Sequence, residues 1–233
     1  MSHVPRLMVL AVLACSSARD ADDAALARAR EEMVASQIAA RGVQDPATLA
    51  AMRQVPRHLF VPEASRAQAY DDHPLSIGHG QTISQPYIVA FMTEAAGLRG
   101  GETVLEIGTG SGYQAAVLGR IAARVYTIEI VAPLAQASAE LLGRLGYSNV
   151  SVRAGDGYQG WPEAAPFDAI LVTAAAPRIP EPLKQQLKDG GRLVLPVGDD
   201  WQELVVVTRR ADRFEEKRVL PVRFVPMTGK VRQ

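Results

Sequence analysis

The sequence of 233 residues contains a single cysteine, Cys15, which excludes an internal disulfide and a zinc site built from several cysteines. Its four histidines do not stand at the spacing that places two metal ligands on one helical face. We therefore expect a protein without a bound metal. The chain also lacks an excess of charge of either sign, because 25 Lys and Arg balance 25 Asp and Glu. Dedicated nucleic-acid-binding proteins usually carry a basic excess, so this class is disfavoured.

Long hydrophobic runs are absent as well. No stretch reaches the roughly 18 consecutive apolar residues that a membrane-spanning helix requires. The apolar fraction is nevertheless 48%, which excludes a disordered or fibrous chain. At a loose ~150 residues per domain, the length suits one domain with an extension. We expect a soluble domain over residues 21–233 and a distinct start over residues 1–20.

The start of the chain resembles a short secretory signal. Arg6 precedes an apolar stretch over residues 7–14, and Cys15 follows directly. This arrangement comes near a lipoprotein cleavage box, although Leu13 is bulkier than the residue usually found there. Two interpretations remain open: an exported or lipid-anchored protein, or a start that is disordered or wrongly assigned.

Helices are predicted in the first half of the chain. The first is amphipathic and ends at Gly42, and the second begins at Asp45, an N-cap followed by proline. Residues 70–84, rich in Gly, His and Pro, are predicted to form a loop. A third helix is expected to begin after Ser84 and to end near Gly97. The apolar positions of the first two helices are Leu26, Met33, Val34, Ile38, Leu49, Met52 and Val55.

Strands and helices alternate from residue 103 onward, which predicts an α/β fold with a mostly parallel sheet and helices on both faces. Three further strands follow with connections too short for crossover helices, so we expect the last strands to be antiparallel. Their order in the sheet stays open. The predicted strands are 103–107, 124–129, 150–153, 168–172, 192–197, 203–208 and 218–224, and the predicted helices are 112–122, 133–145 and 182–188.

The most informative local motif is a glycine turn that links the first of these strands to a helix. Glycines let a ligand approach the backbone at the carboxyl edge of a sheet. Tyr113 stands where the dinucleotide fingerprint needs its third glycine, which argues against NAD. An ordinary tight turn is the alternative. The residues of the motif that we assign to a binding site are Glu106, Gly108, Thr109, Gly110, Ser111 and Gly112.

Acidic residues follow the next two strands. Glu129 lies about 20 residues after the glycine turn, where a carboxylate commonly holds ribose hydroxyls. Asp156, followed by Gly157, adds an acceptor at the same sheet edge and suits an adenine amino group. The phosphate-binding lysine motif is absent. The series favours an adenosine ligand, although either acid alone would more simply be a solvated strand end.

Five segments together make the chain resemble the protein-L-isoaspartate O-methyltransferases, a family that depends on S-adenosylmethionine. The resemblance covers roughly residues 30–230 and implies a Rossmann-like methyltransferase fold with N-terminal helices. Segment 80–86 discriminates best, because the glycine turn is common to most methyltransferases of this fold. The matching segments are 55–62, 80–86, 105–113, 172–177 and 223–229.

The resemblance implies methyl transfer from S-adenosylmethionine to the free α-carboxylate of L-isoaspartyl residues in damaged proteins and peptides, which begins repair through a succinimide. It places the active-site serine at Ser84 and the cofactor on the glycine turn, Glu129, Asp156 and Gly157. It also implies a substrate site, for which our candidates are Gln81, Thr82, Ile83 and Arg223.

The chemistry itself needs no general base, because a carboxylate with a pKa near 4 is already ionised at pH 7. His58 and His79 are therefore interpreted as packing or hydrogen-bonding residues. A hydroxyl and backbone amides at a helix start suit a bound anion, which favours Ser84 as a positioning group. Two simpler alternatives stay open: Ser84 as an N-cap and Arg223 as an ordinary surface arginine.

Other functions remain as alternatives to this one. A DNA amino-methyltransferase would carry an Asp/Asn-Pro-Pro-aromatic motif where residues 173–177 read Thr-Ala-Ala-Ala-Pro. A small-molecule methyltransferase and a non-catalytic adenosyl-binding module are further alternatives, and the intact segment 80–86 weighs against the latter. We expect a monomer without nucleic-acid partners that works in the cytoplasm, where S-adenosylmethionine is made, unless Cys15 anchors it.

Overall fold

The computed structural model describes residues 22–230, so the signal-like segment over residues 1–20 lies outside the described residues. Helix α1 covers residues 22–32 and continues as a π-helical turn and a 3-10 turn before ending at Gly42, whose φ is +96°. The predicted apolar face is confirmed, since Met33 and Val34 are fully buried. Within the described part of the chain, no helix has both the length and the hydropathy needed to cross a bilayer.

Two further helices complete the N-terminal layer. Helix α2 spans Pro46–Gln54, and its N-cap Asp45 accepts a hydrogen bond from the Thr48 N–H at 2.8 Å. Helix α3 spans Pro86–Ala96 and ends at Gly97, whose φ is +70°. Helix α2 begins where the sequence predicts, and α3 both begins and ends there.

Residues 70–84 are not wholly a loop, so that prediction is wrong in part. Strands β1 (Leu75–Gly78) and β2 (Gln81–Ile83) pair as an antiparallel hairpin. Leu75 lies opposite Ile83, and both side chains are buried. The hairpin turns at His79, which has a positive φ of 53°, and the glycines on either side of it also have positive φ values. This burial of two apolar side chains stabilises strands too short to show a period of two in the sequence.

A second sheet has seven strands in the order β5-β4-β3-β6-β7-β8-β9. The first five of these are mutually parallel, and β8 and β9 return antiparallel, as predicted. The strands follow one another at the end, so β9 forms the edge. The bounds are β3 (Thr103–Ile107), β4 (Arg124–Glu129), β5 (Val150–Ala154), β6 (Phe167–Val172), β7 (Leu187–Val197), β8 (Gln202–Arg210) and β9 (Arg213–Val222).

The helices between these strands are shorter than predicted in two places. Helix α4 (Tyr113–Gly119) stops before residue 122, whereas α5 (Ala132–Arg144) is nearly as expected. Helix α6 (Glu181–Gln185) is only five residues long, because β7 already begins at Leu187, which pairs with Phe167. The early start of β7 extends the sheet at the cost of the helix.

Side chains of the central strands alternate between two hydrophobic clusters. Leu171 of β6 packs with the N-terminal helices, α3 and α4, whereas Ile170 and Val172 pack on the other face with Leu183 of α6. The sheet is therefore covered on both faces, which confirms the predicted α/β architecture. The strand order reverses at β3, because β4 lies on one side of it and β6 on the other. Open α/β sheets form a ligand crevice at the carboxyl ends of the strands beside such a point.

Candidate active site

Three adjoining cavities lie at this crevice. The wide groove has a volume of about 690 Å³, the narrow cleft about 60 Å³ and the connecting cavity about 30 Å³. Thr82 and Thr173 line all three, so the cavities meet at these two side chains. The groove is further lined by Arg41, Ser84, Gln85, Tyr87, Ile88 and 220–225, the cleft by Gly108, Gly110, Glu129, Ile130, Gly157 and 225–228, and the connecting cavity by Ile83, Ser84, Thr109, Ser111, Tyr113 and Gln114.

The glycine turn forms a wall of the cleft. Gly108 has a φ of +98°, and a Cβ at this position would overlap the Thr173 hydroxyl oxygen. That hydroxyl donates to the Gly108 carbonyl oxygen at 2.7 Å. Only glycine permits this approach, so the turn and the end of β6 are held in direct contact.

Glu129 stands at the end of β4 and lines the cleft. Its Oε2 accepts from the Gly110 N–H at 2.7 Å and its Oε1 from the Val131 N–H at 2.9 Å. A carboxylate oxygen has a second lone pair, so both can still accept from a ligand hydroxyl. Ile130 beside it is 44% exposed and also lines the cleft, where it offers an apolar surface to a flat ring. This pairing of a fixed carboxylate with an apolar face suits a nucleoside.

Glu106 lies behind the turn and lines none of the three cavities. It is fully buried, and its Oε2 accepts from the Thr127 hydroxyl, which is 2.6 Å from the Thr109 hydroxyl. Burial raises the pKa of Glu106 to about 8, so its carboxyl is mainly protonated at neutral pH. The structure thus places Glu106 beneath the turn and not at the cleft surface where the sequence suggested it.

Asp156 follows β5 at the sheet edge where the sequence places it. Its Oδ1 accepts from the Tyr158 N–H at 2.9 Å, and its Oδ2 from the Lys230 N–H at 2.8 Å. The side chain thus binds the C-terminal segment and is not among the residues that line the cleft, so its contact with adenine stays a prediction. The neighbouring Gly157 does line the cleft, packed so closely that a Cβ would overlap the Ile107 side chain. Gly112 is the N-cap of α4 and lies outside the three cavities.

Ser84 lines both the groove and the connecting cavity. The N-cap of α3 is Gln85, and no side chain of the described residues caps this helix, so the interpretation of Ser84 as an N-cap is wrong. Ser84 instead lies just before the N-terminus of α3, a helix of eleven residues, between two of the cavities. A helix start favours an anion, which leaves Ser84 placed to hydrogen-bond one.

The other substrate candidates divide between the cavities. Gln81 lines the cleft, Ile83 is buried against the connecting cavity, and Arg223 lines the groove with Ser84. His58 lines none of the three, and its Nδ1 lies 2.7 Å from the Tyr70 hydroxyl, while burial lowers its pKa. His79 lines none of the three cavities either, which agrees with an interpretation without a general base.

Several cavity residues were not anticipated from the sequence. Thr173 directly follows β6, and its position at a carboxyl strand end is the signal that could have revealed it. Arg41 and Tyr87 come from the N-terminal layer and carry no local signal. Residues 225–228 reach the cleft because Met227 donates from its N–H to the Ala175 carbonyl oxygen at 2.7 Å. Among the residues with described positions, no cluster of three His, Cys, Asp or Glu side chains could hold a metal ion.

Comparison with known proteins adds to this geometry. The family model described as protein-L-isoaspartate(D-aspartate) O-methyltransferase matches residues 28–232. The chain belongs to this family. A protein-L-isoaspartate O-methyltransferase of Opitutus terrae is 58% identical over 226 residues, which cover 96% of this chain and 97% of the relative. A relative from Shewanella sediminis, named protein-L-isoaspartate O-methyltransferase 2, is 58% identical over 204 residues, or 87% of this chain and 84% of its own.

Solved structures of this methyltransferase family have the same fold. One described as a protein-L-isoaspartate O-methyltransferase superposes with a TM-score of 0.80 at 31% identity, covering 87% of this chain and 67% of that one. A second, from Plasmodium falciparum, has a TM-score of 0.74 at 27% identity and covers 85% of this chain and 98% of its own. That protein was crystallised with S-adenosyl-L-homocysteine. The methyltransferase described here thus has the fold and the S-adenosylmethionine dependence of its family.

Proposed function

We propose that this methyltransferase transfers a methyl group from S-adenosylmethionine to the free α-carboxylate of L-isoaspartyl residues in damaged proteins and peptides. The observation that supports it most directly is the junction of the three cavities at Thr82 and Thr173. The narrow cleft with the Glu129 carboxylate on one side and the groove containing Ser84 on the other would bring a methyl donor and an acceptor together at this point.

On the cofactor side, the chain's own residues fit an adenosyl group. Glu129 presents two carboxylate oxygens for ribose hydroxyls, and Ile130 gives an apolar face for adenine. Gly108 adds no side chain to this wall of the cleft, where a Cβ would overlap the Thr173 hydroxyl oxygen. Glu106 would not contact the cofactor and would instead hold the glycine turn in position, through the hydroxyls of Thr127 and Thr109.

On the substrate side, the residues hold and orient an anion. The Ser84 hydroxyl donates to one oxygen of the substrate carboxylate, and the N-terminus of α3 favours its negative charge. Arg223, which lines the same groove, adds positive charge. Exclusion of water at the narrow junction keeps the carboxylate oxygen reactive and aligned, which is the main contribution required of the protein.

The reaction needs neither a general base nor a nucleophilic side chain. When bound, S-adenosylmethionine supplies an electrophilic methyl group on its sulfonium, and a substrate carboxylate oxygen gains this methyl as the carbon–sulfur bond breaks. No proton moves in this step, because the carboxylate is already ionised. A backbone amide nitrogen then attacks the resulting ester, which closes to a succinimide and releases methanol without further enzyme help, and hydrolysis returns part of the succinimide to normal aspartate.

Mass spectrometry tests this proposal directly. An isoaspartyl peptide and its aspartyl counterpart are incubated with the enzyme and S-adenosylmethionine. We expect one added methyl on the isoaspartyl peptide alone. Equal labelling of both peptides, or labelling of neither, would contradict the proposed substrate.

We further propose that the enzyme works in the cytoplasm, because S-adenosylmethionine is made there. We also propose that it is a monomer. Cell fractionation and sedimentation of the full chain test both points. Recovery of the mature protein in the membrane fraction, anchored through Cys15, would contradict the location, and a concentration-independent dimer would contradict the monomer.

A further inference from the structure

The wide groove is much larger than methyl transfer to a single carboxylate requires. Its volume of about 690 Å³ lies within the ~300–1,000 Å³ of sites that bury whole ligands. Ser84 occupies only the part that adjoins the connecting cavity. The remainder extends along Tyr87, Ile88 and residues 220–225, where it is accessible to the chain on either side of a bound residue.

The charged side chains that line the groove carry the same sign, and one of them, Arg41, pairs with Asp72 outside the lining. Two of the described residues that line it are arginines, Arg41 and Arg223, and none is Asp or Glu. The chain as a whole carries no net charge, so this local imbalance does not follow from composition. A cleft lined by one sign of charge raises the local concentration of ligands of the opposite sign.

The two guanidinium groups differ in how firmly they are held. Arg41 lies 3.7 Å from the centre of the Tyr87 ring, and its Nη1 is 3.0 Å from Asp72. The backbone beside Arg223 is fixed because the Phe224 N–H donates to the Gln202 Oε1 at 2.6 Å. Arg223 makes no ion pair with another described residue and is exposed to solvent.

We propose that the groove binds the residues flanking the isoaspartyl residue, and that Arg41 and Arg223 make it select segments with acidic side chains on those flanks. This inference rests on the proposed function and adds a specificity to it. Exposed ion pairs contribute little each, so we expect a preference of about two- to fivefold in KM per guanidinium, with kcat nearly unchanged.

The experiment compares three isoaspartyl peptides that differ only at the two flanking positions, which carry Glu, Gln or Lys. The parent enzyme should have the lowest KM for the Glu peptide and the highest for the Lys peptide, and the difference should shrink as salt rises. Equal kcat/KM for the three peptides would overturn the inference and leave the proposed function intact. Methylation of none of them would overturn both.

Enzyme variants assign the preference to the two side chains. In Arg41→Gln and in Arg223→Gln, the advantage of the Glu peptide over the Gln peptide should fall, and in Arg223→Glu it should reverse in favour of Lys. Arg41→Lys should keep much of the advantage, because it keeps the charge. Arg144→Gln is the matched control: it removes one exposed charge on α5, away from the groove, and should keep the full preference.

The variants also separate flank selection from a hold on the reacting carboxylate itself. If Arg223 contacted only that carboxylate, Arg223→Gln would raise KM by the same factor for all three peptides. A uniform rise would therefore overturn the assignment of Arg223 to the flanks. A rise confined to the Glu peptide supports it.

Discussion

The narrow cleft and the wide groove meet at the same two threonines but are built in opposite ways. The cleft is formed by backbone and small residues, with Gly108 pressed against Thr173 and Glu129 tied to two N–H groups. The groove is formed by long side chains from distant segments, such as Arg41 and Tyr87 of the N-terminal layer and Arg223 after β9. A cofactor of constant shape suits the first design, and protein substrates of variable sequence suit the second.

This difference predicts how each side responds to mutation. A change at a backbone-built wall has no room to relax and displaces its neighbours. A change at a side-chain-built wall alters affinity for particular substrates while the frame remains. Four variants test this contrast, from the largest expected effect to the smallest.

Ser84→Ala should lower methyl transfer by a factor of about 10²–10³, if the lost hydrogen bond acts mainly in the transition state. Cofactor affinity and melting temperature should change little, because Ser84 does not cap α3. Turnover, cofactor titration and thermal unfolding are measured on the same variant. Ser76→Ala, in strand β1 of the adjoining hairpin and outside the three cavities, is the control. Near-normal turnover of the folded variant would refute the role of Ser84.

Gly108→Ala should reduce cofactor binding and turnover together, by roughly 10²-fold in kcat/KM, because the new Cβ displaces Thr173 where the cavities meet. The strained φ should also cost about 1–3 kcal/mol of unfolding free energy. Calorimetric cofactor binding and chemical denaturation measure the two effects. In contrast, Gly143→Ala in helix α5, where a Cβ meets nothing within 4 Å, should be neutral or stabilising. Full activity of Gly108→Ala would show that the turn tolerates a displaced Thr173.

Glu129→Ala should weaken S-adenosylmethionine binding about tenfold or more, since hydrogen bonds to a charged group contribute roughly 1.5–3 kcal/mol each. Part of the loss comes through Gly110, whose N–H loses its acceptor. Isothermal calorimetry measures the affinity. Glu102→Ala is a matched control, because Glu102 also accepts from two backbone N–H groups but precedes β3, at the opposite edge of the sheet. Unchanged affinity in a folded Glu129→Ala variant would remove Glu129 from the cofactor site.

Glu106→Gln should have the smallest effect on binding and a clear effect on the pH dependence of stability. The folded protein holds its Glu106 proton up to a pKa of about 8, whereas an unfolded chain releases it near pH 4.3. Between these values the unfolded state binds fewer protons, so stability falls as pH rises and levels off above pH 8. The largest slope for one such group is about 1.4 kcal/mol per pH unit.

Glutamine has no proton to release, so the variant should gain stability relative to the parent as the pH is raised through this window. Urea denaturation at a series of pH values measures the difference. Parallel stability curves for parent and variant would mean that Glu106 ionises at the same pH in the folded and unfolded states.

Much of the cleft could be predicted because its parts are consecutive in the sequence. The strand, the glycine turn and the helix over residues 103–119 lie together, and Glu129 ends the next strand. The groove was largely unpredictable, because Arg41, Tyr87 and residues 220–225 meet only through packing between distant segments. Arg223 was proposed from the sequence, but the residues that line the groove beside it, such as Arg41 and Tyr87, were not.

The strand errors have similar physical causes. The hairpin strands β1 and β2 are four and three residues long, too short to show an alternating pattern. Strand β7 begins early at Leu187, but Gly190 and Gly191 conceal it. Strand β9 begins at Arg213 and is rich in charged residues, as an edge strand that avoids pairing with another molecule should be. Polar composition therefore hid the first half of a strand that the sequence predicts only from residue 218.

The segment over residues 225–228 affects when the enzyme becomes active during its synthesis. It lies farther along the chain than every other lining residue, and it is held by reciprocal backbone hydrogen bonds with Ala175 at 2.8 and 2.7 Å. Ribosomes deliver the glycine turn long before this segment. A nascent chain can thus fold its sheet core while the cleft still lacks one side. Methylating activity should appear only after residue 228 has left the ribosomal tunnel, so an incomplete translation product would be inert rather than partly active.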